Sequence, residues 1–177
     1  MKLWHDGWHE THAPLAPPEL VERRTMDDFR SRIGCRLPLA TVAELDRKVV
    51  GFCSIKESQI DQLYLARPVW GSGMAQALLD DGLARLARRG VDVAWLICAI
   101  GNHRAARFYE KMGWTNTGVV PVMTETSNGP MAVNGWRMER TIDSPEEVRQ
   151  QDAYAVLIHV GARAHRAHRA LAAMAGA

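Results

Sequence analysis

The sequence predicts an α/β fold in which a mixed central β-sheet is flanked by helices. From residue 37 onward, short β-favouring runs alternate with runs of helical periodicity, and the middle of the chain follows the order strand, helix, strand, helix. The first 34 residues carry few strand signals, so two helices are expected there. The predicted organisation is one domain over residues 1–142 and a C-terminal helical extension over residues 143–177.

Six strands are predicted from short apolar or β-branched runs bounded by turn residues. Only Asp46, Arg47 and Lys48 separate the first two, which is the spacing of a hairpin. The fourth is almost entirely apolar, as expected of a strand buried on both faces. The predicted strands are Ala40–Leu45, Val49–Ile55, Ile60–Ala66, Val91–Ile100, Val119–Thr124 and Asn134–Thr141.

Two helices are predicted between the inner strands. One follows Gly71 and Gly73 and ends at Gly90, and the other begins at Asn102 and ends at Gly113. Both glycine stops are typical of helix C-termini, where a left-handed residue is needed.

The C-terminal extension opens with a helix start signal. Ser144 stands at the cap position, Pro145 at the first helical position, and Glu147 three residues after the cap. The segment Glu147–Leu157 is predicted to be a helix that could support a homodimer. Past Gly161 the composition is mostly Ala, Arg and His, so we expect fraying there, with His165 and His168 on a solvated face.

Composition excludes several functional classes. Lys and Arg number 22 against 20 Asp and Glu, and this near balance argues against a nucleic-acid partner. The longest apolar runs are about half the roughly 20 residues needed to cross a bilayer, so no membrane partner is expected. The segment Met1–Thr11 is too polar for a signal peptide. Cys35, Cys53 and Cys98 form no C-x-x-C pair, which fits a reducing, cytoplasmic location.

The turn at Gly71 and Gly73 has the geometry of an anion site. It leads from a predicted strand into a helix, where glycines allow close backbone approach and the first N–H groups lie at the positive end of the dipole. A dinucleotide fingerprint is excluded because Gln76 replaces its third glycine, and a P-loop is excluded because no Lys is present. The alternative is that the glycines serve tight packing alone.

Two linked motifs resemble those of the GNAT acetyltransferase family. The first is Trp70-Gly71-Ser72-Gly73-Met74-Ala75, which corresponds to the family's Arg/Gln-x-x-Gly-x-Gly/Ala. The second contains, in order, Asn102, Ala105 or Ala106, Tyr109, Gly113 and Trp114. The resemblance covers residues 37–142. Trp70 replaces the family's Arg or Gln, and the strand that usually opens this fold is expected to be absent.

The resemblance implies that acetyl-CoA binds where two parallel strands splay apart, after Leu65 and along Trp95–Ile100. Backbone groups of the strand and loop would hold pantetheine and pyrophosphate, and the amide of Leu65 would polarise the thioester carbonyl. Tyr109 would donate a proton to the departing sulfur. The residues expected to bind the cofactor are Leu63, Leu65, Gly71, Ser72, Gly73, Met74, Ala75, Asn102, Ala105 and Tyr109. Tyr109 alternatively extends an apolar stripe, and Asn102 alternatively serves as a helix cap.

The general base is left open among four residues, Glu57, Asp61, Gln62 and Glu125, and a water relay is the alternative. Cys98 is interpreted as a buried structural thiol, because no partner base accompanies it.

Three histidines near the N-terminus share one helical face. His5, His9 and His12 invite comparison with a metal site, but a polar face or a lining of the acceptor cleft is the preferred interpretation, and no metal is expected. Trp4 and Trp8, one turn apart, are expected to pack against the sheet.

The predicted function is therefore transfer of acetyl from acetyl-CoA to a primary amine by direct attack in a ternary complex. The acceptor is either a small-molecule amine or a protein amino group. The alternative is a catalytically silent acyl-CoA-binding or partner-interaction module.

Overall fold

In the computed structural model, which describes residues 1–142, six strands form one mixed sheet in the order β1-β2-β3-β4-β6-β5. The strands are β1 (Ala40–Leu45), β2 (Lys48–Lys56), β3 (Gln59–Leu65), β4 (Val93–Ala99), β5 (Thr115–Thr124) and β6 (Met131–Thr141). The helices are α1 (Lys2–Thr11), α2 (Pro18–Arg23), α3 (Met26–Ile33), α4 (Met74–Ala87) and α5 (His103–Lys111). The predicted fold class and all six strands are confirmed.

Strands β3 and β4 form the parallel pair of this sheet, and every other pairing in it is antiparallel. A single residue pair, Gln59 with Trp95, joins β3 to β4, so the two strands diverge beyond it. On the other edge of β3, the register passes from Gln62 opposite Ser54 to Ile60 opposite Ile55, which leaves Asp61 as a bulge. The sheet therefore opens on one side of β3 and kinks on the other.

The two faces of the sheet carry separate apolar clusters. Helices α4 and α5 cover one face, whose buried residues include Leu79, Leu86 and Leu96. The N-terminal helices contribute Trp4 and Phe29 to the other cluster. Successive strand residues point to opposite faces, and accordingly Phe52 and Cys53 belong to different clusters.

The N-terminal region contains three α-helices, so the prediction of two was wrong. The run Glu19–Ile33 is interrupted because the hydroxyl of Thr25 accepts a hydrogen bond from the N–H of Asp28 at 3.2 Å and starts a new helix. Within residues 1–142 no strand precedes Ala40, which agrees with the prediction that the usual opening strand is absent.

Strand β4 is not buried on both faces, contrary to expectation. Ala94, Leu96 and Cys98 are buried, whereas the alternate residues Trp95 and Ile97 are half-buried. The physical reason is that the apolar side chains of the second face border a cavity instead of a helix.

Predictions for the extension over residues 143–177, including the helix Glu147–Leu157 and the solvated face with His165 and His168, lie outside the described residues. In the part of the chain that the structure describes, no helix combines the length and the apolar character needed to cross a membrane.

Candidate functional site

The divergence of β3 and β4 leaves a wedge in the sheet, and a cavity of about 820 Å³ extends between the two strands. Leu63 and Leu65 of β3 and Ile97 and Ala99 of β4 line its walls. This is where the resemblance predicts that pantetheine would lie. The cavity is within the usual size range of sites for small molecules and cofactors.

The backbone of Leu65 points into this wedge. The N–H of Ala66 donates to the carbonyl of Val50 at 2.7 Å, so Ala66 faces β2. Successive backbone groups of an extended chain point to opposite edges, and the N–H of Leu65 therefore points toward β4. Its carbonyl accepts a hydrogen bond at 3.1 Å from the indole Nε1 of Trp70. The N–H of Leu65, but not its carbonyl, is thus available to a ligand in the wedge.

The turn between β3 and α4 is open at both of its glycines. Gly71 and Gly73 have φ values of +77° and +87°, and a Cβ at either position would meet no atom within 4 Å. Helix α4 begins without a side-chain cap, so its first N–H groups face out of the helix end. Ser72 braces the turn, because its hydroxyl donates to the carbonyl of Val69 at 2.7 Å. The glycines serve a left-handed turn that leaves space, and not tight packing.

Trp70, the departure from the family motif, holds a cation beside this turn. The guanidinium of Arg104, from the first turn of α5, lies 3.6 Å from the centroid of the indole ring. Arg67 approaches the same ring at 5.6 Å. The indole, fixed by its bond to Leu65, is therefore a platform for the Arg104 side chain.

Helix α5 brings two predicted residues to the cavity. The side chain of Asn102 accepts a hydrogen bond from the N–H of Ala105 at 3.1 Å, so it caps the helix and also borders the cavity. Tyr109 is half-buried and packs against Phe108 and Trp114. Burial raises the pKa of the Tyr109 hydroxyl far above its usual range. The phenol is consequently a proton donor and not a base at neutral pH.

Cys98 is buried on β4, and burial raises the pKa of its thiol to about 11. Its sulfur lies 3.8 Å from the carbonyl oxygens of Ala99 and Asn102, either of which can accept its single S–H. A thiol that is protonated at neutral pH is a poor nucleophile, in agreement with the structural role expected from the sequence.

The candidate bases all border the cavity, but they differ in what holds them. Asp61 accepts from Nε of Arg36 at 2.9 Å and from the hydroxyl of Ser54 at 3.2 Å. Glu125 accepts from Arg36 at 3.1 Å, and this bond lowers the pKa of its carboxyl. Gln62 accepts from Trp4, and Glu57 is exposed in the β2–β3 turn.

The three N-terminal histidines have separate partners. His9 bonds the carbonyl of Arg24 at 2.7 Å, and His5 lies beside Asp6. The hydroxyl of Thr11 donates to the carbonyl of Gly7, so its oxygen accepts from Nδ1 of His12 at 2.7 Å. Burial lowers the pKa of His12 to about 4, and this neutral imidazole borders the cavity. Within residues 1–142, no three His, Cys, Asp or Glu side chains are grouped to hold a metal ion.

Most of the predicted cofactor-binding residues meet at one cavity. The residues that line it are Leu63, Leu65, Gly71, Gly73, Ala75, Asn102, Ala105 and Tyr109. Ser72 and Met74 are not part of the lining; Ser72 stabilises the turn instead, and the N–H of Met74 lies 3.4 Å from its hydroxyl. The expected packing of Trp4 and Trp8 is confirmed, since both are buried, and both also border the cavity.

Sequence reasoning missed several arginines of the site. Arg104 stands only two residues after Asn102, and the missing motif cation at Trp70 was a signal to look for a substitute. Arg24, Arg32 and Arg36 are separated by eight and four residues, multiples of the four-residue spacing that marks one face of a helical run. Such a face is ordinarily solvated, yet Arg24 is 3% and Arg32 9% exposed. Their spacing was visible, but their burial was not.

A comparison with family models decides the classification. The model described as the acetyltransferase (GNAT) family matches residues 4–114, well over half of the chain. The chain belongs to the GNAT acetyltransferase family. The predicted family and enzyme class are confirmed: this enzyme is an N-acetyltransferase of the GNAT family. The match also includes the N-terminal helices, which the motif resemblance over residues 37–142 did not reach.

Solved structures share the fold of this acetyltransferase at low sequence identity. A GCN5-related N-acetyltransferase from Rhodopseudomonas palustris has a TM-score of 0.62 at 22% identity, with 79% of this chain and 86% of that chain covered. YncA from Salmonella typhimurium, solved with its cofactor acetyl-CoA, has a TM-score of 0.59 at 18% identity, with 81% of this chain and 86% of that chain covered. Ribosomal-protein-alanine N-acetyltransferase from Brucella melitensis has a TM-score of 0.53 at 19% identity, with 79% of this chain and 90% of that chain covered.

Proposed function

We propose that this acetyltransferase transfers acetyl from acetyl-CoA to the primary amine of an acceptor by direct attack, within a catalytic domain of residues 1–142. The wedge between β3 and β4, continuous with the open turn before α4, is the observation that carries the proposal. The related fold of YncA is known with acetyl-CoA, which supports the same co-substrate here.

The groups at the wedge fit an acyl-CoA. Two glycines with no neighbouring atoms at their Cβ positions leave room for phosphate oxygens, and the uncapped N–H groups of α4 are donors for them. Arg104 adds a cation where the family motif has Arg or Gln. The apolar walls suit the pantetheine arm. The proposed contacts come from Leu63, Leu65, Gly71, Ser72, Gly73, Met74, Ala75, Asn102, Ala105 and Tyr109.

Acetyl-CoA supplies a thioester carbonyl that an unprotonated amine can attack. The N–H of Leu65 points into the wedge and would polarise that carbonyl and stabilise its developing negative charge. Tyr109 would give its proton to the leaving sulfur, a role that its raised pKa favours because the hydroxyl stays protonated. Of the groups that could take the proton of the attacking amine, Glu125 is a weaker base than an unpaired glutamate, because the hydrogen bond from Arg36 lowers the pKa of its carboxyl.

A catalytically silent acyl-CoA-binding module is the second candidate function. The replacement of the motif cation by Trp70 favours it, whereas the Arg104 side chain held on that indole argues for a retained phosphate site. The two functions differ in turnover. Release of CoA in the presence of any amine distinguishes an enzyme from a binding module.

The test is calorimetric titration of the wild-type protein with acetyl-CoA and with CoA, repeated on Gly73→Trp. The indole would fill the open space of the turn. Gly90→Trp is a matched control, since Gly90 also has positive φ (+76°), also faces open space, and follows the opposite end of α4. Binding by wild type and Gly90→Trp, but not by Gly73→Trp, supports the site. No binding by folded wild-type protein refutes the proposal.

A further inference from the structure

Arg32 is a buried arginine for which the described residues provide no hydrogen-bond acceptor. It is 9% exposed and borders the cavity. Its guanidinium stacks on Trp4 and Phe29, with distances of 4.6 and 4.9 Å to the ring centroids. Its Nε and Nη2 are buried without a partner. Buried guanidinium groups are ordinarily hydrogen-bonded, so this one requires an explanation.

One carboxylate is shared between two guanidinium groups. Oδ2 of Asp28 accepts from Nη1 of Arg24 at 2.8 Å and lies 3.1 Å from Nη2 of Arg32, in a contact without hydrogen-bond geometry. Oδ1 accepts from the N–H of Ser127 at 2.7 Å. Both oxygens of Asp28 are therefore engaged, and the trio of Arg24, Asp28 and Arg32 retains one uncompensated positive charge.

The neighbouring arginines share this condition only in part, since Nε of Arg24 is also buried without a partner but its two Nη atoms both donate. Arg24 also donates to the carbonyl of Glu125 and to the hydroxyl of Thr124, at 2.7 and 2.6 Å. Arg36 donates to Asp61, Glu125 and the backbone of Arg32. Both are engaged by the protein itself. Arg32 is the guanidinium of the cluster that donates no hydrogen bond to the described residues.

Arg32 lies on the side of the cavity formed by the N-terminal helices. Trp4, on which it stacks, donates to Gln62 of β3 at 3.2 Å, and the backbone of β3 also borders the wedge. A compact molecule can thus face Arg32 with one end and the wedge with the other. Burial and the charge of Arg24 lower the pKa of Arg32 to about 10, which still leaves it cationic at neutral pH.

We infer that the acceptor is a small amine that carries a carboxylate, such as an amino acid, with the carboxylate bound by Arg32 and the amine directed to the wedge. The inference rests on the proposed acetyl transfer. A carboxylate matches a guanidinium in charge and in its two-pronged geometry, and it would satisfy donors that the protein leaves without acceptors. A neutral amine would leave those donors unsatisfied.

The experiment compares amino acids with their carboxamides, which keep the amine and side chain but lose the negative charge. CoA release with saturating acetyl-CoA gives kcat/KM for each pair. We expect the best amino acid to exceed its carboxamide by about 10- to 100-fold, the range of a charge-assisted hydrogen bond. In Arg32→Gln this ratio should fall to about one, and in Arg32→Lys, which keeps the charge but not the fork, to an intermediate value.

Arg30→Gln is the matched control, because Arg30 lies on the same helix with an exposed side chain and should keep the full ratio. Affinity for acetyl-CoA, measured by titration of each variant, reports folding and an intact cofactor site. Turnover of simple amines or carboxamides as fast as amino acids, turnover of no amino acid, or a ratio unchanged in Arg32→Gln overturns the inference. Failure of the folded wild-type protein to bind acetyl-CoA would instead refute the proposed function.

Discussion

The guanidinium of Arg104 stacks on the indole of Trp70, 3.6 Å from the ring centroid, at the turn that precedes α4. Trp70 occupies the motif position at which GNAT enzymes usually have Arg or Gln. A guanidinium from α5 therefore lies beside this motif position, on a tryptophan whose Nε1 donates to the carbonyl of Leu65. A motif departure that suggests a damaged phosphate site coincides with a second residue that carries the missing charge.

Arg104→Ala should weaken CoA binding by about tenfold, because a cation near the phosphates contributes roughly one charge-assisted interaction at an exposed site. Pantetheine, which has no phosphate, should bind both proteins equally. Arg107→Ala is the control, since Arg107 is an exposed arginine of the same helix. Calorimetric titration at low and high salt measures the effect. An equal loss for CoA and pantetheine would show that Arg104 shapes the wedge and does not contact phosphate.

Tyr109→Phe should lower kcat by about 10²-fold while leaving the Kd for acetyl-CoA unchanged, as expected for loss of a general acid. Because burial raises the pKa of the hydroxyl, the wild-type kcat should show no falling limb below about pH 10, the ordinary pKa of tyrosine. Steady-state kinetics across pH measure both effects. A kcat within about twofold of wild type would assign Tyr109 to the apolar stripe that was its alternative interpretation.

Local sequence patterns predicted the elements that frame the wedge. The strand Ala40–Leu45 was predicted at its observed bounds, and the turn was predicted from Gly71 and Gly73, which allow close backbone approach and which the structure places at positive φ. The same holds for α5, whose cap at Asn102 is a local hydrogen bond. These features depend on neighbours within a few residues, which the sequence displays directly.

Features that depend on distant partners were not predictable. The run Val91–Ile100 is apolar on both faces, and the sequence cannot distinguish a face that packs on a helix from one that borders a cavity. Arg24 reaches Thr124, a hundred residues away. The accumulation of arginines on the side of the cavity formed by the N-terminal helices arises from such convergence, and a regular spacing of charges alone would indicate a solvated face.

Acidification should destabilise the fold through His12. Its folded pKa, lowered to about 4 by burial and by the charge of Arg24, lies below the 6.5 of an unfolded histidine, so the unfolded chain binds more protons between these values. The free energy of unfolding should therefore fall as pH drops from about 6.5 to 4, by about 3 kcal/mol at most. In His12→Gln, the free energy of unfolding measured with urea should depend less on pH than in the wild type. His103→Gln changes an exposed histidine and is the control. An equal pH dependence in His12→Gln and wild type would contradict a buried neutral imidazole.

Asp28→Asn should lower the free energy of unfolding by about 3 kcal/mol, the cost of leaving buried charges without their partner. Asparagine keeps the volume and can still accept from the N–H of Ser127, but Arg24 and Arg32 would then face each other uncompensated.

Asp27→Asn is the matched control for this change. Asp27 precedes Asp28 and pairs with Arg30 at the exposed surface, so its replacement should cost less than about 0.5 kcal/mol. Adding Arg32→Gln to Asp28→Asn should recover part of the loss, because the second change removes a repulsive charge. Chemical denaturation of the wild type, of Asp28→Asn, of Arg32→Gln and of the double variant gives the coupling free energy between the two residues. If the double variant were as unstable as the two single changes added together, Asp28 and Arg32 would act independently, and an excess positive charge in the cluster of Arg24, Asp28 and Arg32 would have no energetic basis.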